Sequence, residues 1–233
     1  AIRFDTAALI SDRSQVGLSI PLLRRSRTRA GVGAESIGLG DVALSLGYEV
    51  LPEWTYSAWR PKGLAFVSVS LPTGTSIYDS TQMYRIDSRG KGFVGLSLGV
   101  FFVKVWGPWD LALLAQVNRS LPRYLDNPNG TLRLVPGWGV SGAASLGLSP
   151  GEGSFRIGLG LSPSFEEGVT TQGLVDGKGA RQLLLPVVLQ IGYRLSEDVS
   201  FGMSYGDSLV FSVAENAPLN RSIAVVLQKR FER

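Results

Sequence analysis

The chain alternates apolar and non-apolar residues with a period of two along most of its 233 residues. Because successive side chains of a β-strand point to opposite sides, this alternation predicts strands with one apolar face. The stretch from Asp41 to Val50 reads D-V-A-L-S-L-G-Y-E-V, with valine, leucine and tyrosine on one face. The opposite face carries alanine, serine and glycine between an aspartate and a glutamate. A chain patterned in this way is expected to be all-β.

The alternation and the turn residues between the runs predict eleven strands. These are 2–10, 15–24, 37–51, 63–71, 92–105, 110–120, 131–148, 154–165, 181–195, 198–213 and 221–231. The connections at 11–14, 106–109, 149–153 and 196–197 are short, whereas those at 25–36, 72–91, 121–130, 166–180 and 214–220 are longer. The two classes alternate along the chain, with 52–62 as the one long member of the short class. This is typical of an outer-membrane barrel, which has short periplasmic turns and longer extracellular loops.

Two architectures fit the alternation. In a soluble sandwich or lipocalin-like barrel the apolar face points into the core, whereas in an outer-membrane barrel it faces lipid. The second face decides between them, since glycine, serine and alanine suit a crowded interior better than a surface in contact with water. Charged residues make up only 18% of the chain and gather in the connections. No run approaches the roughly 20 apolar residues of a spanning helix.

We therefore predict an antiparallel up-and-down transmembrane β-barrel, formed by residues 1–233 as one domain in the bacterial outer membrane. The first residues lack the pattern of a signal peptide, so export implies that such a peptide has already been removed. Single-chain bacterial barrels have an even number of strands, and eleven is odd. A split at Gly206-Asp207 or within 131–148, or a strand before Ala1, gives the predicted twelve. If the first segment is not a barrel strand, the number is ten.

Cysteine and histidine are both absent. This excludes disulfides, zinc sites built from these residues and any histidine-activated nucleophile. Two G-x-S-x-G matches, 95–99 and 202–206, lie in predicted strands without a base partner, so we expect no enzyme activity, no cofactor and no metal. The net charge of +4 is scattered rather than gathered with aromatic residues on one face. We therefore expect no nucleic-acid partner.

Two short motifs resemble a known family. Gly40-Asp41-Val42-Ala43-Leu44-Ser45-Leu46-Gly47-Tyr48 opens one strand, and Leu71-Pro72-Thr73-Gly74 ends the next. A predicted hairpin precedes them, with Pro21 near the end of its second strand. Over residues 2–74 this order resembles the outer-membrane family named for the MetA pathway of phenol degradation, whose members carry a GDxxLxxxY strand and a following LPTG corner. The resemblance implies an outer-membrane barrel that passes or binds small hydrophobic compounds.

The barrel interior is the candidate functional site. If the registers hold, its polar positions point inward: Arg3, Asp5, Asp41, Glu49, Gln116, Asn118, Arg133, Arg156, Gln190, Arg194 and Gln228. Buried charges usually form pairs, because an isolated charge is costly to desolvate. These residues form either a ladder of ion pairs that fills the barrel or the lining of a path or pocket for a small ligand.

Two further groups fall at the predicted membrane rims. Arg24, Arg25, Arg27 and Arg29 lie at the extracellular end, where they either bind lipopolysaccharide phosphates or belong to a solvated loop. Trp54, Trp59, Trp106 and Trp109 lie in or beside predicted periplasmic turns, as expected of a membrane-interface belt. Outer-membrane lipid and lipopolysaccharide are thus the expected surroundings of the protein.

The functional expectation is a passive channel, or a binding barrel, for a small and hydrophobic molecule. The alternative is a non-conducting barrel that acts as a structural protein or binds an envelope partner protein through its long loops.

Overall fold

The computed structural model describes residues 1–29, 32–53, 57–127, 130–151, 154–173, 176–211, 213–217 and 220–231. The strands are β1 (Ile2–Ser11), β2 (Ser14–Arg29), β3 (Val32–Leu39), β4 (Val42–Leu51), β5 (Lys62–Leu71), β6 (Gly95–Trp106), β7 (Trp109–Ser120), β8 (Arg123–Asn127), β9 (Gly130–Val135), β10 (Trp138–Leu148), β11 (Phe155–Leu161), β12 (Ser164–Glu166), β13 (Thr170–Gly173), β14 (Gly177–Lys178), β15 (Gln182–Leu184), β16 (Val187–Arg194), β17 (Val199–Asp207), β18 (Ala214–Glu215) and β19 (Arg221–Lys229). A single 3₁₀ turn at Met83–Arg85 is the only helical element among the described residues, which include no helix long and apolar enough to cross a membrane. The all-β prediction is confirmed.

Eleven strands form one antiparallel row in chain order. The row is β1-β2-β4-β5-β6-β7-β10-β11-β16-β17-β19, and each predicted strand contributes one member. The short strands β3, β12, β15 and β18 extend this sheet beside its main path. Neither twelve strands nor ten is confirmed by the described residues.

The connections divide the sheet into two ends. One end, called the turn end, carries the connections β1–β2, β4–β5, β6–β7, β10–β11 and β16–β17, of which only residues 52–61 form a long one. The opposite end, called the loop end, carries the long connections and all the short extra strands. The predicted alternation of short turns and long loops is therefore confirmed in the described residues.

The two faces of the sheet differ in composition and in exposure. On the apolar face, Leu44 and Leu98 are 50% and 66% exposed. On the other face, called the small-residue face, Gly47 and Gly99 are buried and Ser97 is half-buried. The apolar face therefore points outward, and the small residues lie on the shielded side, as the composition of the two faces predicted.

The two outermost strands are exposed on both faces. Every residue of β1 and of β19 is exposed, and the strand pairing among the described residues includes no contact between them. An odd number of antiparallel strands leaves β1 and β19 running in the same direction. Their outer edges therefore carry backbone N–H and C=O groups without a strand partner among the described residues.

Four predicted strands are divided in the structure: 37–51, 131–148, 154–165 and 181–195. The stretch 37–51 divides at Gly40-Asp41 into β3, which pairs with the outer half of β2, and β4, which pairs with its inner half. The stretch 131–148 divides at Pro136-Gly137, because proline lacks the N–H that a strand needs. Residues before that break form β9 in a second sheet, ordered β14-β13-β9-β8. Parts of the predicted loops 121–130 and 166–180 are thus strands.

The few buried apolar residues lie at the loop end. Among the described residues, the buried hydrophobic side chains are Ile86, Phe93 and Leu134. Phe93 receives the edge of the Tyr78 ring, with 5.8 Å between the ring centroids. The connection 72–94 and the second sheet thus hold the small conventional core, while the main sheet has none of its own among these residues.

Candidate functional site

The strand registers place most of the predicted interior residues on the small-residue face. These are Arg3, Asp5, Glu49, Gln116, Asn118, Arg156, Gln190, Arg194 and Gln228. Gln116, for example, lies opposite Gly99 on β6 and opposite Ser141 on β10. The strand registers show on which face these residues lie. Their role in lining a path for a ligand stays a prediction.

The turn end of this face holds a three-strand polar cluster. Arg156 of β11 donates from Nε and Nη2 to the two carboxylate oxygens of Asp110 on β7, over 2.8 and 2.6 Å. Its Nη1 donates to Oε1 of Gln190 on β16 over 3.0 Å. Such a bidentate pair fixes the orientation of the guanidinium. Arg156 is therefore held flat across the sheet rather than extended into the space above it.

Two glycines make room for this cluster. Gly147 of β10 lies directly between Asp110 and Gly158 in the strand register. A methyl group on Gly147 would overlap both the Asp110 carboxylate and the Arg156 guanidinium. The Arg156 guanidinium thus lies directly over the Gly147 backbone, in space that a side chain would otherwise fill. This is a specific reason for glycine on the small-residue face.

Polar side chains continue along the same face. Gln116 donates to Oδ1 of Asn118 over 2.5 Å, and Asn118 donates to the Ser141 hydroxyl over 3.4 Å. Near the turn end, Lys62 and Glu49 form an ion pair of 3.0 Å. Positive and negative groups on this face are therefore largely matched, and the buried side-chain polar atoms of the described residues all have partners.

A cavity opens at the loop end of this face. Its volume is about 230 Å³, and Nζ of Lys91 lies 2.7 Å from both carboxylate oxygens of Glu166 on its wall. The remaining polar groups of its lining come from Asn118, Ser141, Ser164 and Gln182. The cavity offers a cation, an anion, amides and hydroxyls within one small volume.

The structure gives Asp41 a different role from the predicted one. Its Oδ1 accepts a hydrogen bond from the Gly74 N–H over 3.1 Å, and its Oδ2 accepts one from the Lys91 N–H over 2.7 Å. Thr73 donates its hydroxyl to the Gly40 carbonyl over 2.7 Å and accepts from the Val42 N–H. The carboxylate is therefore occupied by the backbone of the connection 72–94. We call this arrangement the corner; it joins the two motifs on which the family resemblance rests.

The connection 72–94 is fixed to the second sheet by an ion pair. Arg123 donates to both carboxylate oxygens of Asp79, over 2.6 and 2.7 Å, and to the Gly92 carbonyl over 3.3 Å. The Ser76 hydroxyl donates to the same carboxylate over 2.5 Å. The Arg123 hydrogen bonds, followed by that of Ser76, hold the pKa of Asp79 below its usual value. The connection is thus a folded element rather than an open loop.

Arg133 does not lie in the main sheet. It belongs to β9 of the second sheet, where it donates to the Gln172 side chain over 3.3 Å and lies over the Tyr124 ring. Its prediction as an interior residue assumed that 131–148 is one strand. Because the proline at position 136 breaks that strand, the alternation of β10 does not extend to Arg133.

The four rim arginines lie on the hairpin formed by β2 and β3. Arg25 and Arg27 occupy the face that Arg3 and Asp5 share through the β1–β2 register, while Arg24 occupies the opposite face. Arg24 donates to both carboxylate oxygens of Glu35, over 2.6 and 3.0 Å. The side chain of Arg29 lies outside the described atoms.

Three of the four tryptophans predicted for the membrane-interface belt lie at the turn end. Trp59 is 90% exposed, and Trp106 donates from its ring nitrogen to the Ala58 carbonyl over 2.6 Å. Trp109 lies opposite Trp106 in the β6–β7 hairpin. Trp54 lies outside the described residues. In the same area Lys104, only 4% exposed, forms a 2.7 Å ion pair with Glu53, so part of the connection 52–61 contacts β6.

Sequence reasoning missed four charged members of these clusters. The sequence predicts Lys62, Lys91 and Glu166 in connections and Asp110 as the first residue of a strand. The parity of Asp110 with Gln116 was a usable signal, since both residues fall on the non-apolar positions of one run. Nothing in the sequence could have paired Lys91 with Glu166, which are 75 positions apart.

Comparison with known proteins finds similarity at the level of structure. No family model matches the chain, and no curated protein matches it. Among solved structures, the crystal structure of an outer membrane channel from Pseudomonas putida F1 is similar, with a TM-score of 0.70 and 16% sequence identity. The match covers 97% of this chain and 79% of the channel. The two proteins share a fold. The resemblance to the MetA-pathway family stays a prediction.

Proposed function

We propose that this protein is a channel of the bacterial outer membrane, through which small molecules diffuse along the small-residue face. The observation that carries the proposal is the inversion of the sheet: its apolar face carries exposed leucines, whereas the opposite face carries buried glycines and half-buried serines. Water would disfavour such an arrangement, whereas a bilayer stabilises it. The fold shared with an outer membrane channel supports the same conclusion.

A channel of this kind requires a closed sheet. Within hydrocarbon each unpaired backbone group costs several kcal/mol, so the free edges of β1 and β19 must find partners when the protein is inserted. We propose that the sheet closes into a barrel in the membrane. Amide hydrogen exchange in lipid discs is expected to be as slow in β1 and β19 as in β7 and β10. Fast exchange confined to the two edge strands would contradict closure.

The interior groups favour diffusion over chemistry. The ion pairs Asp110–Arg156 and Lys91–Glu166 leave few free charges on the small-residue face. Without histidine or cysteine, the described hydroxyls have no side-chain base of the usual kind. We therefore propose that solutes pass without a catalytic step. The solute must be small enough to move along the small-residue face past these ion pairs. The predicted hydrophobic solute remains part of this proposal.

Cysteine labelling tests the proposal directly, because the chain contains no cysteine of its own. Ser97 and Leu98 are neighbours on opposite faces of β6. In planar bilayers, the variant Ser97→Cys is expected to react with a charged, water-soluble methanethiosulfonate reagent, and its conductance is expected to fall. The matched variant Leu98→Cys, facing lipid, is expected to be unlabelled and to conduct normally.

The same experiment separates the channel from its alternative. The Arg156 guanidinium held across the sheet, and Lys91 held against Glu166, also suit a filled and non-conducting barrel. A protein that inserts into the bilayer but passes no current, with Ser97→Cys unreactive, would favour that structural role. Labelling of Leu98→Cys but not of Ser97→Cys would overturn the membrane proposal as a whole.

A further inference from the structure

The hairpin of β2 and β3 presents unpaired positive charge on one face only. Strand alternation puts Arg25 and Arg27 on the face that continues the small-residue face, and both are exposed. Neither has a carboxylate partner among the described residues, since the salt bridges of this part of the chain involve other groups. Arg24, next to Arg25 in the sequence but on the opposite face of the hairpin, is neutralised by Glu35.

The connection 72–94 packs against this same face. Arg89 lies beside Gly38, where a side chain would overlap its guanidinium, and donates to the Ser36 hydroxyl over 2.5 Å. Ser36 is the register partner of Arg25. Further along the hairpin, the Arg27 guanidinium lies 5.7 Å from the centroid of the Tyr84 ring. The face of the hairpin that carries Arg25 and Arg27 therefore contacts the folded connection 72–94.

The turn that contains Tyr84 adds a third positive charge. Tyr84 and Arg85 have φ angles of 60° and 51°, in the left-handed region that residues with side chains rarely adopt. Two such residues in succession strain the backbone, and strained residues of this kind cluster at functional sites. Arg85 is exposed and has no carboxylate partner among the described residues. The nearby Asp87 is buried and accepts hydrogen bonds from Ser80 and the Thr81 N–H.

We infer that Arg25 and Arg27, with Arg85 of the neighbouring turn, form an anion-recruiting face at the mouth of the channel, which favours those small hydrophobic solutes that carry a carboxylate. This inference rests on the proposed function and names its substrate class. Guanidinium groups bind carboxylates through paired N–H donors, and uncompensated charge at a mouth raises the local concentration of counter-ions. Beyond the mouth, Lys91 and Arg156 are each paired with a carboxylate, so the uncompensated positive charge lies at the mouth itself.

The face on which the arginines lie argues against lipopolysaccharide as their ligand. Lipopolysaccharide lies in the membrane, against the outward, apolar side of a barrel. Of the three rim arginines whose side chains are described, only Arg24 is on that side of the hairpin, and its guanidinium is already occupied by Glu35. The other described arginines project to the side of the mouth, where a diffusing solute passes.

Reversal potentials of the full chain in planar bilayers test the inference. Across a KCl gradient the wild type is expected to prefer chloride to potassium. When benzoate replaces chloride on one side of the bilayer, a measurable current carried by benzoate is expected. The variants Arg25→Gln and Arg27→Gln are each expected to lower the anion-to-cation permeability ratio, and the double variant by about two-fold at low salt. Conductance itself is retained in each.

The matched control is Arg24→Gln, which removes the same charge one position away but on the opposite face. It is expected to leave the permeability ratio unchanged. A cation-preferring wild type, or an equal effect of all three single variants, would overturn the anion-recruiting face while leaving the channel intact. Unchanged selectivity with weakened lipopolysaccharide binding would reassign the arginines to the membrane surface. Absence of any conductance would instead refute the proposed function.

Discussion

The turn end and the loop end of this sheet are stabilised by different means. At the turn end, tight connections join neighbouring strands, and the polar groups are side chains of the strands themselves, such as Arg156 with Asp110. At the loop end, the connection 72–94 and a second sheet bring buried apolar residues, Ile86, Phe93 and Leu134, and hydrogen bonds from side chains to distant backbone. The structure of the turn end depends on pairing between consecutive strands, whereas that of the loop end depends on contacts between segments far apart in the chain.

The difference teaches where each kind of substitution should act. A change at the turn end is expected to disturb a few neighbouring residues, since the connections there join strands that are consecutive in the chain. A change at the loop end can release a long segment, because the connection 72–94 is held by a few contacts at its base. Asp41 is one of these contacts, bonding two backbone groups of that connection.

The largest expected effect comes from the variant Asp41→Ala at the corner. It leaves the N–H groups of Gly74 and Lys91 without their charged acceptor, which we expect to lower the free energy of unfolding by about 2–3 kcal/mol. Limited proteolysis should then cut within residues 72–91, and thermal unfolding in detergent should shift downward. The control is Asp12→Ala in the β1–β2 turn, where little change is expected. Equal sensitivity of the two variants would erase the contrast between the ends.

A smaller effect is expected from Gly147→Ala at the turn end. The added methyl group would overlap Asp110 and Arg156 and push their side chains apart, which should cost about 1–2 kcal/mol of stability. The comparison variant is Gly192→Ala, whose methyl group would lie 3.6 Å from Cβ of Arg156, an ordinary contact. Urea unfolding of both variants measures the difference. Indistinguishable midpoints would show that Arg156 is not held over the Gly147 backbone.

The smallest expected effect is a pH dependence at the loop end. The folded state lowers the pKa of Asp79 through Arg123, so the stabilisation is present above the pKa of the unfolded chain and is lost as the pH falls through the folded value. The Asp79 side chain is 41% exposed, and solvent screening should keep the contribution below about 1 kcal/mol.

Melting temperatures measured between pH 3 and pH 6 test this dependence. The wild type should lose its Asp79 contribution at the acid end of the range, while the variant Asp79→Asn should lack it at every pH. The difference between the two proteins should therefore shrink as the pH falls. A difference that is constant over the whole range would contradict an ionised Asp79 as the anchor.

The turn end could be predicted from the sequence almost completely. Its strands alternate with a period of two up to their short connections, so the pattern predicts which strands pair and which face each side chain takes. The positions of Glu49, Arg156 and Arg194 on the small-residue face are examples. The loop end could not. The sequence predicts loops at 121–130 and 166–180, yet described parts of them form β8, β13 and β14, because neighbouring elements pair with them.

The sequence by itself determined that the chain forms long strands with an apolar face and a face of small residues, because alternation maps directly onto the two sides of a strand. It also determined the order of short and long connections. Only the tertiary structure decided that Asp41 closes the corner, that Arg133 leaves the main sheet, and that Lys91 meets Glu166. These contacts join residues far apart in the chain, and no local pattern specifies which distant partner a charged side chain meets.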